Sequence, residues 1–347
     1  MMWLTWRQFR AQATAAVAAV AAFAVLLAVT GPHLANLYAA SGIAGCHGGG
    51  CGQIADSFLS QIGAGIYPVV FVLGVAGIAL APAVIGLFWG APLIAGEFET
   101  GAFRLSFTQS VTRTRWLAYK LAIPSLAAIA VTEALSLMHS WWAAPIGQAA
   151  RLASNTNFPL GMGPFSVLAF DAHGIVPVGY AAFAITLGVT AGLLLRRTVL
   201  AMAVTLAIFA VVQIVMPLGI RPHLFPPSHT VAAIDSFSGD TQIGGDATFG
   251  FNVVHLPSQP GAWILSSAAV NAAGETTTII PAACRQAALN GSDDWPGCMI
   301  RQGVRIAVTY QPASRYWPIQ LIETAIYLAL ALALGGYCFW RLRSRLS

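Results

Sequence analysis

An all-α polytopic membrane protein with six spanning helices is the fold class that the sequence predicts, and three observations predict it. Hydrophobic residues make up 57% of the 347 and charged residues only 8%, where a soluble chain carries about 25% charged residues. The apolar residues gather into six long runs, each near the ~20 residues that cross a hydrocarbon core. The cations stand at the ends of those runs. A mean hydropathy of +0.72 leaves too little polar surface for a soluble domain, and the composition also excludes a disordered chain, a collagen, a disulfide-dense secreted scaffold and a basic nucleic-acid surface. No nucleic-acid partner is expected.

The first span runs from about Ala11 to Thr30, and Gly31-Pro32 is expected to stop it through flexibility and a missing N–H. Ahead of it Trp3, Trp6, Arg7, Phe9 and Arg10 mix aromatics with cations, as an interfacial helix or an ordinary membrane anchor does. A cleavable signal peptide is the rival reading, but the apolar run is long for one and no convincing cleavage site follows it. The second span, Ile66 to Ala95, holds no charge over thirty residues and is longer than a bilayer needs, so a tilt or a kink at Pro68, Pro82 or Pro92 is expected. The third extends from about Leu121 to Trp142, the fourth from Val176 to Leu195, the fifth from Val199 to Leu218 and the sixth from Ile319 to Trp340. Only Arg196-Arg197-Thr198 separates the fourth from the fifth, which makes them antiparallel neighbours.

Lys and Arg are retained on the cytoplasmic side. Eleven of the 17 basic residues fall before span one, between spans two and three, between four and five, and after six. Those four segments share one face, so both termini are expected in the cytoplasm and the chain in the cytoplasmic (inner) membrane. Segments 31–65, 143–175 and 219–317 then face outward. The last, an extracellular insertion of about a hundred residues, reads as a β-rich or α/β unit: it alternates polar and apolar residues in Arg305-Ile306-Ala307-Val308-Thr309-Tyr310 and is punctuated by Gly and Pro. Its five Arg and six acidic residues nearly cancel. The organisation is therefore 1–218 with five spans, 219–317 outside, and 318–347 with span six and a basic tail.

Cys46, Cys51, Cys284 and Cys298 lie in outward segments, where disulfides persist, and the economical pairing is Cys46–Cys51 with Cys284–Cys298. Cys338, inside span six, reads as a buried apolar thiol. Cys46-His47-Gly48-Gly49-Gly50-Cys51 could hold a metal instead, yet it offers three soft ligands where zinc wants four. The seven His (33, 47, 139, 173, 223, 229, 255) all fall outward or near the outer interface, without HExxH spacing, and no Gly-x-Ser-x-Gly elbow occurs. No metal and no catalytic residue are expected. Trp141 and Trp142 read as an aromatic belt.

Two carboxylates interrupt apolar spans, Glu133 in the third and Glu323 near the outer start of the sixth. Such groups face a wet cavity or the protein interior, because hydrocarbon penalises charge by a few kcal/mol. They either line a substrate path that favours cationic or amphipathic molecules, form a gate contact, or lock helices by hydrogen bonding. The segment between spans two and three, 96–116, carries Glu97 and Glu99 at the end of a span and then an apolar and basic stretch. It reads as an amphipathic element able to dock on a soluble partner, or as an ordinary positive-inside loop.

Here Glu97-x-Glu99-Thr100-Gly101, followed after about a dozen residues by Arg113-x-x-Trp116-x-x-x-Lys120, resembles the signature loop of type-2 ATP-binding-cassette (ABC-2) transporter permeases. The leading Trp6-Arg7-Gln8-Phe9-Arg10, the six spans and an outer unit before the last span fit the same family. Tyr316-Trp317-Pro318-Ile319-Gln320-Leu321-Ile322-Glu323-Thr324 is similar to the start of the final helix in actinobacterial-type members. The large outer segment departs from the short re-entrant hairpin of many members. The resemblance implies an exporter permease for an amphipathic substrate (drug, lipid or peptide-like), half of a homodimeric or related heterodimeric pore, with Glu97, Phe98, Glu99, Thr100, Gly101, Arg104, Arg113, Arg115 and Trp116 contacting two copies of an ABC ATPase. Lys120 is the chain's one Lys and no Gly-rich Walker A run precedes it, so ATP and Mg are expected on the separate ATPase and no cofactor on this chain. The competing expectation is a membrane-anchored receptor or assembly factor whose outer unit binds a ligand or partner.

Overall fold

The structure is a computed structural model that describes residues 2–46, 50–101, 112–153, 163–233, 238–243, 249–255, 259, 261–286 and 295–345. Within them six helices are long and apolar enough to cross a membrane: Arg10–Ser41, Tyr67–Thr100, Thr114–Leu152, Val176–Leu195, Thr198–His223 and Ala313–Arg343. One end of the bundle carries Arg115, Lys120 and the Arg196-Arg197 turn. The other carries a small sheet.

Helix α1 (Met2–Ser41) does not stop at Gly31-Pro32 as the sequence suggested. A membrane helix tolerates the one backbone bond that proline removes when neighbours pack on it, and the third span does so here. The Trp141 ring lies over Gly31, where a Cβ would come within 3.3 Å of it, and Trp142 Nε1 donates to Thr30 Oγ1 at 2.9 Å. Helix α2 (Cys51–Gly63) follows, joined to the end of α1 by the Cys46–Cys51 disulfide. Its Ala55, Phe58, Leu59 and Ile62 recur at helical spacing and pack with Trp142, Ile146 and Ala149. Because both sulfurs are spent in that bond, they are not thiolate ligands; His47 lies outside the described residues.

The long second span is α3 (Tyr67–Ile85), a π turn (Gly86–Gly90) and α4 (Ala91–Thr100). The expected irregularity is therefore a π turn, beginning four residues after Pro82. Helix α5 (Arg113–Leu152) outruns its predicted limits of 121 and 142 at both ends, since Trp116 and Leu117 are buried at one end and Ile146, Ala149 and Ala150 at the other. After the short α6 (Val167–Ala172), α7 (Val176–Leu195) matches the predicted fourth span and is the innermost, with sixteen of its twenty residues buried.

Two Gly-x-x-x-Gly pairs bring α7 against the π turn. A Cβ on Gly86 would lie 2.8 Å from the Ala184 carbonyl oxygen, one on Gly188 2.6 Å from the Gly86 oxygen, and one on Gly192 2.7 Å from the Ala91 oxygen. Small residues are what permit such backbone approach between membrane helices.

Arg196, left-handed at φ 54°, turns the chain into α8 (Thr198–Val215). A second π turn (Met216–Ile220) and a 3₁₀ turn (Arg221–His223) prolong this span past the predicted Leu218. The segment counted as outward from 219 thus begins inside the bundle. Beyond it, β1 (Ser228–Ala233), β4 (Trp263–Val270) and β5 (Arg305–Gln311) form an antiparallel sheet in the order β1-β5-β4, with Ser228 opposite Tyr310. Strands β2 (Ser238–Ile243) and β3 (Phe249–His255) pair separately. Ile306 and Val308 are buried while Arg305 is exposed, the alternation legible in the sequence. Cys284 and Cys298 are disulfide-bonded, the latter on α9 (Trp295–Arg301). Helix α10 (Tyr316–Arg345) closes the bundle against α7, and Cys338 is buried within it.

Candidate functional site

At the basic end, three consecutive residues of α4 reach three different neighbours. Glu97 pairs with Lys120 of α5, whose Nζ also donates to the Leu93 carbonyl at 3.1 Å and stands 5.0 Å from the centre of the Trp116 ring. Phe98 lies under the Arg196 guanidinium, 5.4 Å from the ring centre. Glu99 accepts from the Thr198 N–H at 2.9 Å and from its Oγ1 at 2.6 Å. These bonds satisfy donors at the first turn of α8, where orphan N–H groups and the helix dipole both favour a carboxylate. Thr100 Oγ1 donates to the Gly96 carbonyl, and Gly101 at φ 71° ends α4 in the left-handed conformation that glycine permits.

Arg115 is exposed and sits over the Tyr119 ring, and Trp116 is buried. Arg113 opens α5. Arg104, with the rest of 102–111, lies outside the described residues.

At the sheet end the structure assembles a charged group that sequence reading had only in part. Arg221 is fully buried; its Nε donates to Glu323 Oε2 at 2.8 Å and its Nη2 to Glu323 Oε1 at 2.9 Å, a bidentate clamp, while Nη2 also pairs with Asp171. Tyr180 Oη lies 3.0 Å from Asp171 Oδ1 and 2.8 Å from Glu323 Oε1, so its single proton is shared between the carboxylates. The Phe170 ring faces the guanidinium at 4.0 Å. Burial pushes the Asp171 carboxyl above the usual range, against the opposing pull of Arg221.

Glu323, near the outer start of span six, is 0% exposed and committed to this group, the helix-locking alternative among those the sequence left open. The group joins spans four, five and six and, through Asp171, the segment before span four. Gln320, one turn earlier on α10, accepts from the Ile175 and Val176 N–H groups at 3.1 and 3.0 Å and so caps α7, while its amide donates to the Phe170 and His173 carbonyls.

Glu133 lines a different space, a cavity of about 470 Å³ between α5, the α6–α7 corner and the start of α10. His173 also borders it, with its Nδ1 on the Ala169 carbonyl and its Nε2 against His139 Nδ1 at 2.9 Å. The first contact makes Nδ1 the donor, so in the neutral ring Nε2 accepts from His139. Burial holds His173 below the usual histidine range.

Arg221, Asp171, Tyr180 and Gln320 are the residues of this end that sequence reading had not singled out. The available signal was a lone charge at the edge of each of two apolar runs, opposite in sign to Arg221. Among the described residues no three His, Cys, Asp or Glu side chains converge as a metal site. Residues 17–221, more than half of the chain, match the family described as ABC-2 membrane transporter related. No curated protein and no solved structure matches.

Proposed function

We propose the following role from one premise: the chain belongs to the ABC-2 membrane transporter related family and is a multi-pass membrane component of a transporter. It serves as the permease subunit of an exporter, pairs with a second identical or related protomer, and is driven by two copies of a separate ABC ATPase that bind ATP and Mg. It lies in the cytoplasmic membrane with both termini inside, as the positive-inside distribution of its cations indicates. Its cargo is amphipathic: a drug, a lipid or a peptide-like molecule.

The observation that carries this reading is the knit of the basic end. Glu97, Phe98 and Glu99 engage Lys120, Arg196 and Thr198, so the end of span two is bonded to spans three and five and to the turn before five. A stroke delivered to the α4–α5 connection therefore displaces several spans together. Arg115, exposed beside that connection, is available to the ATPase, whereas Glu97 and Glu99 act as relays within the permease. The closely packed glycines then pass the motion to α7, whose far end carries Tyr180 in the Arg221 group. Such transmission requires contacts that differ between two states.

Co-expression with an ABC ATPase tests the assignment. Co-elution and cargo-stimulated hydrolysis are expected, and Glu99→Ala should keep the complex but lose the stimulation. A stable ATPase-free complex with a partner held by the sheet unit would favour the anchored receptor instead. Labelling of a cysteine at Arg115 by an impermeant reagent outside sealed cells would overturn the topology.

A further inference from the structure

We infer that Gln12 is a positioning residue for coupling: from α1 it fixes the rotation of α4, and with it the placement of Glu97, Phe98 and Glu99 at the basic end. This deepens the permease reading and rests on it for the link to ATP hydrolysis. Three observations carry it.

The first is a carbonyl that its own helix cannot serve. An α-helix gives the Phe88 carbonyl the N–H of residue 92, and residue 92 is proline, which has none. The backbone there is already irregular, because the Ala91 N–H donates to the Gly86 oxygen five residues back, as in a π turn. Gln12 supplies the missing donor, its Nε2 standing 3.0 Å from the Phe88 oxygen. Thr14, the next polar residue of α1, spends its hydroxyl on the Ala11 carbonyl of its own helix. Gln12 and Phe88 both border an apolar groove of about 630 Å³ between α1, α3 and α5, lined also by Ala15, Ala16, Val84 and Ile85. Within a span a backbone carbonyl has no bulk water to turn to and needs a protein donor.

The second is leverage. A π turn winds one residue more into the helix than the α form holds. Were the turn to relax to the α form, that residue would rotate all that follows by about 100° and advance it by about 1.5 Å. Glu97 and Glu99 stand nine and eleven residues beyond Phe88. The contacts that they and Phe98 make with Lys120, Thr198 and Arg196 exist at one rotation of α4 and are lost at the other.

The third is what the far side of the turn leaves undecided. Gly86 and Gly90 lie against α7, where a Cβ would come within 2.8 Å of the Ala184 oxygen and 2.9 Å of the Ile185 oxygen. Close approach of small residues sets the distance between helices, but such contact has no direction. A hydrogen bond has one, and the Gln12 bond adds what the packing lacks.

The test reads the Thr198 amide by hydrogen exchange in the purified chain in nanodiscs, because Glu99 accepts from that N–H at 2.9 Å and its protection reports the rotation of α4. Gln12→Leu keeps the bulk and loses the donor. It is expected to speed this exchange about three- to tenfold, in line with one neutral hydrogen bond, and to lower cargo-stimulated hydrolysis in the assembled complex by a similar factor. Pro92→Ala returns an N–H to the Phe88 carbonyl, so Gln12→Leu with Pro92→Ala should exchange and hydrolyse like Pro92→Ala alone. That rescue separates positioning from a general loss of packing, which a second substitution would not repair. Gln12→Asn, an amide one methylene too short, should behave as Gln12→Leu and takes its place if the leucine variant does not insert. Thr198 exchange unchanged by the Gln12 variants, or a double variant that exchanges as fast as Gln12→Leu, overturns the inference. Exchange is read without the ATPase, so a Thr198 response rescued by Pro92→Ala in a chain that no ABC ATPase joins would sink the permease reading and leave the role of Gln12 in the fold standing.

Discussion

Replacing Arg221 by Met strands two carboxylates in the interior. Glu323 is 0% exposed and Asp171 6%; the substitution removes the two bonds to Glu323 and the pair with Asp171 while keeping an apolar side chain over Phe170. Breaking a buried ion pair from one side costs about 3–5 kcal/mol, which for a chain of this size corresponds to a fall of about 4–7 °C in melting temperature. The triple variant R221M/D171N/E323Q removes the uncompensated charge and should recover most of that loss, since replacing a whole buried ionic group is often neutral.

Acid should rescue the single variant as well. Asp171 binds its proton more tightly folded than unfolded, because burial raises its pKa, and the loss of Arg221 removes the attraction that opposed this. A carboxyl with a raised folded pKa contributes stability below its unfolded value that is lost as pH rises through the folded one. The gap between Arg221→Met and wild type should therefore narrow from pH 7 to pH 5. Thermal melting followed by tryptophan fluorescence in detergent at the two pH values measures it. An Arg221→Met protein that melts like wild type at pH 7, or a triple variant no better than the single one, would refute the account.

Gly188→Ala would drive a Cβ to 2.6 Å from the Gly86 oxygen and 2.7 Å from the Ala91 nitrogen, backbone atoms on the facing segment. It should cost at least about 1–3 kcal/mol in a melting assay, whereas Gly77→Ala, with nothing within 4 Å, should be neutral. Lys120→Met leaves the Glu97 carboxylate, 12% exposed, without its cation; a loss of about 3–5 kcal/mol is expected, and Lys120→Met with Glu97→Gln should restore most of it. Cys284→Ser with Cys298→Ser opens a loop of separation 14 and should destabilise the sheet unit by about 3 kcal/mol, visible as faster limited proteolysis there with the spans still protected.

The spans were legible because lipid imposes length and composition on each helix separately, and a local rule can be read from a local sequence. Where a helix ends once it is past the hydrocarbon is decided by its neighbours, which is why Gly31-Pro32 looked like a stop and α5 looked short. Both disulfides were legible for the same local reason, the cysteines of each pair being 5 and 14 residues apart. The Arg221 group was not, because its two carboxylates and its tyrosine are 50, 102 and 41 residues from Arg221 and charge counting placed Arg221 in the outward segment.

Glu97 and Glu99 were read from the sequence as residues of a coupling element, but their turn inward to Lys120 and Thr198 depends on which spans pack side by side. Thr132, Ser136, His139 and Gln148 interrupt α5, the helix of Glu133 and Ser140, at other phases, so spacing alone did not mark the latter two as a pair, and their place beside one cavity depends on how the α6–α7 corner and the start of α10 pack against α5.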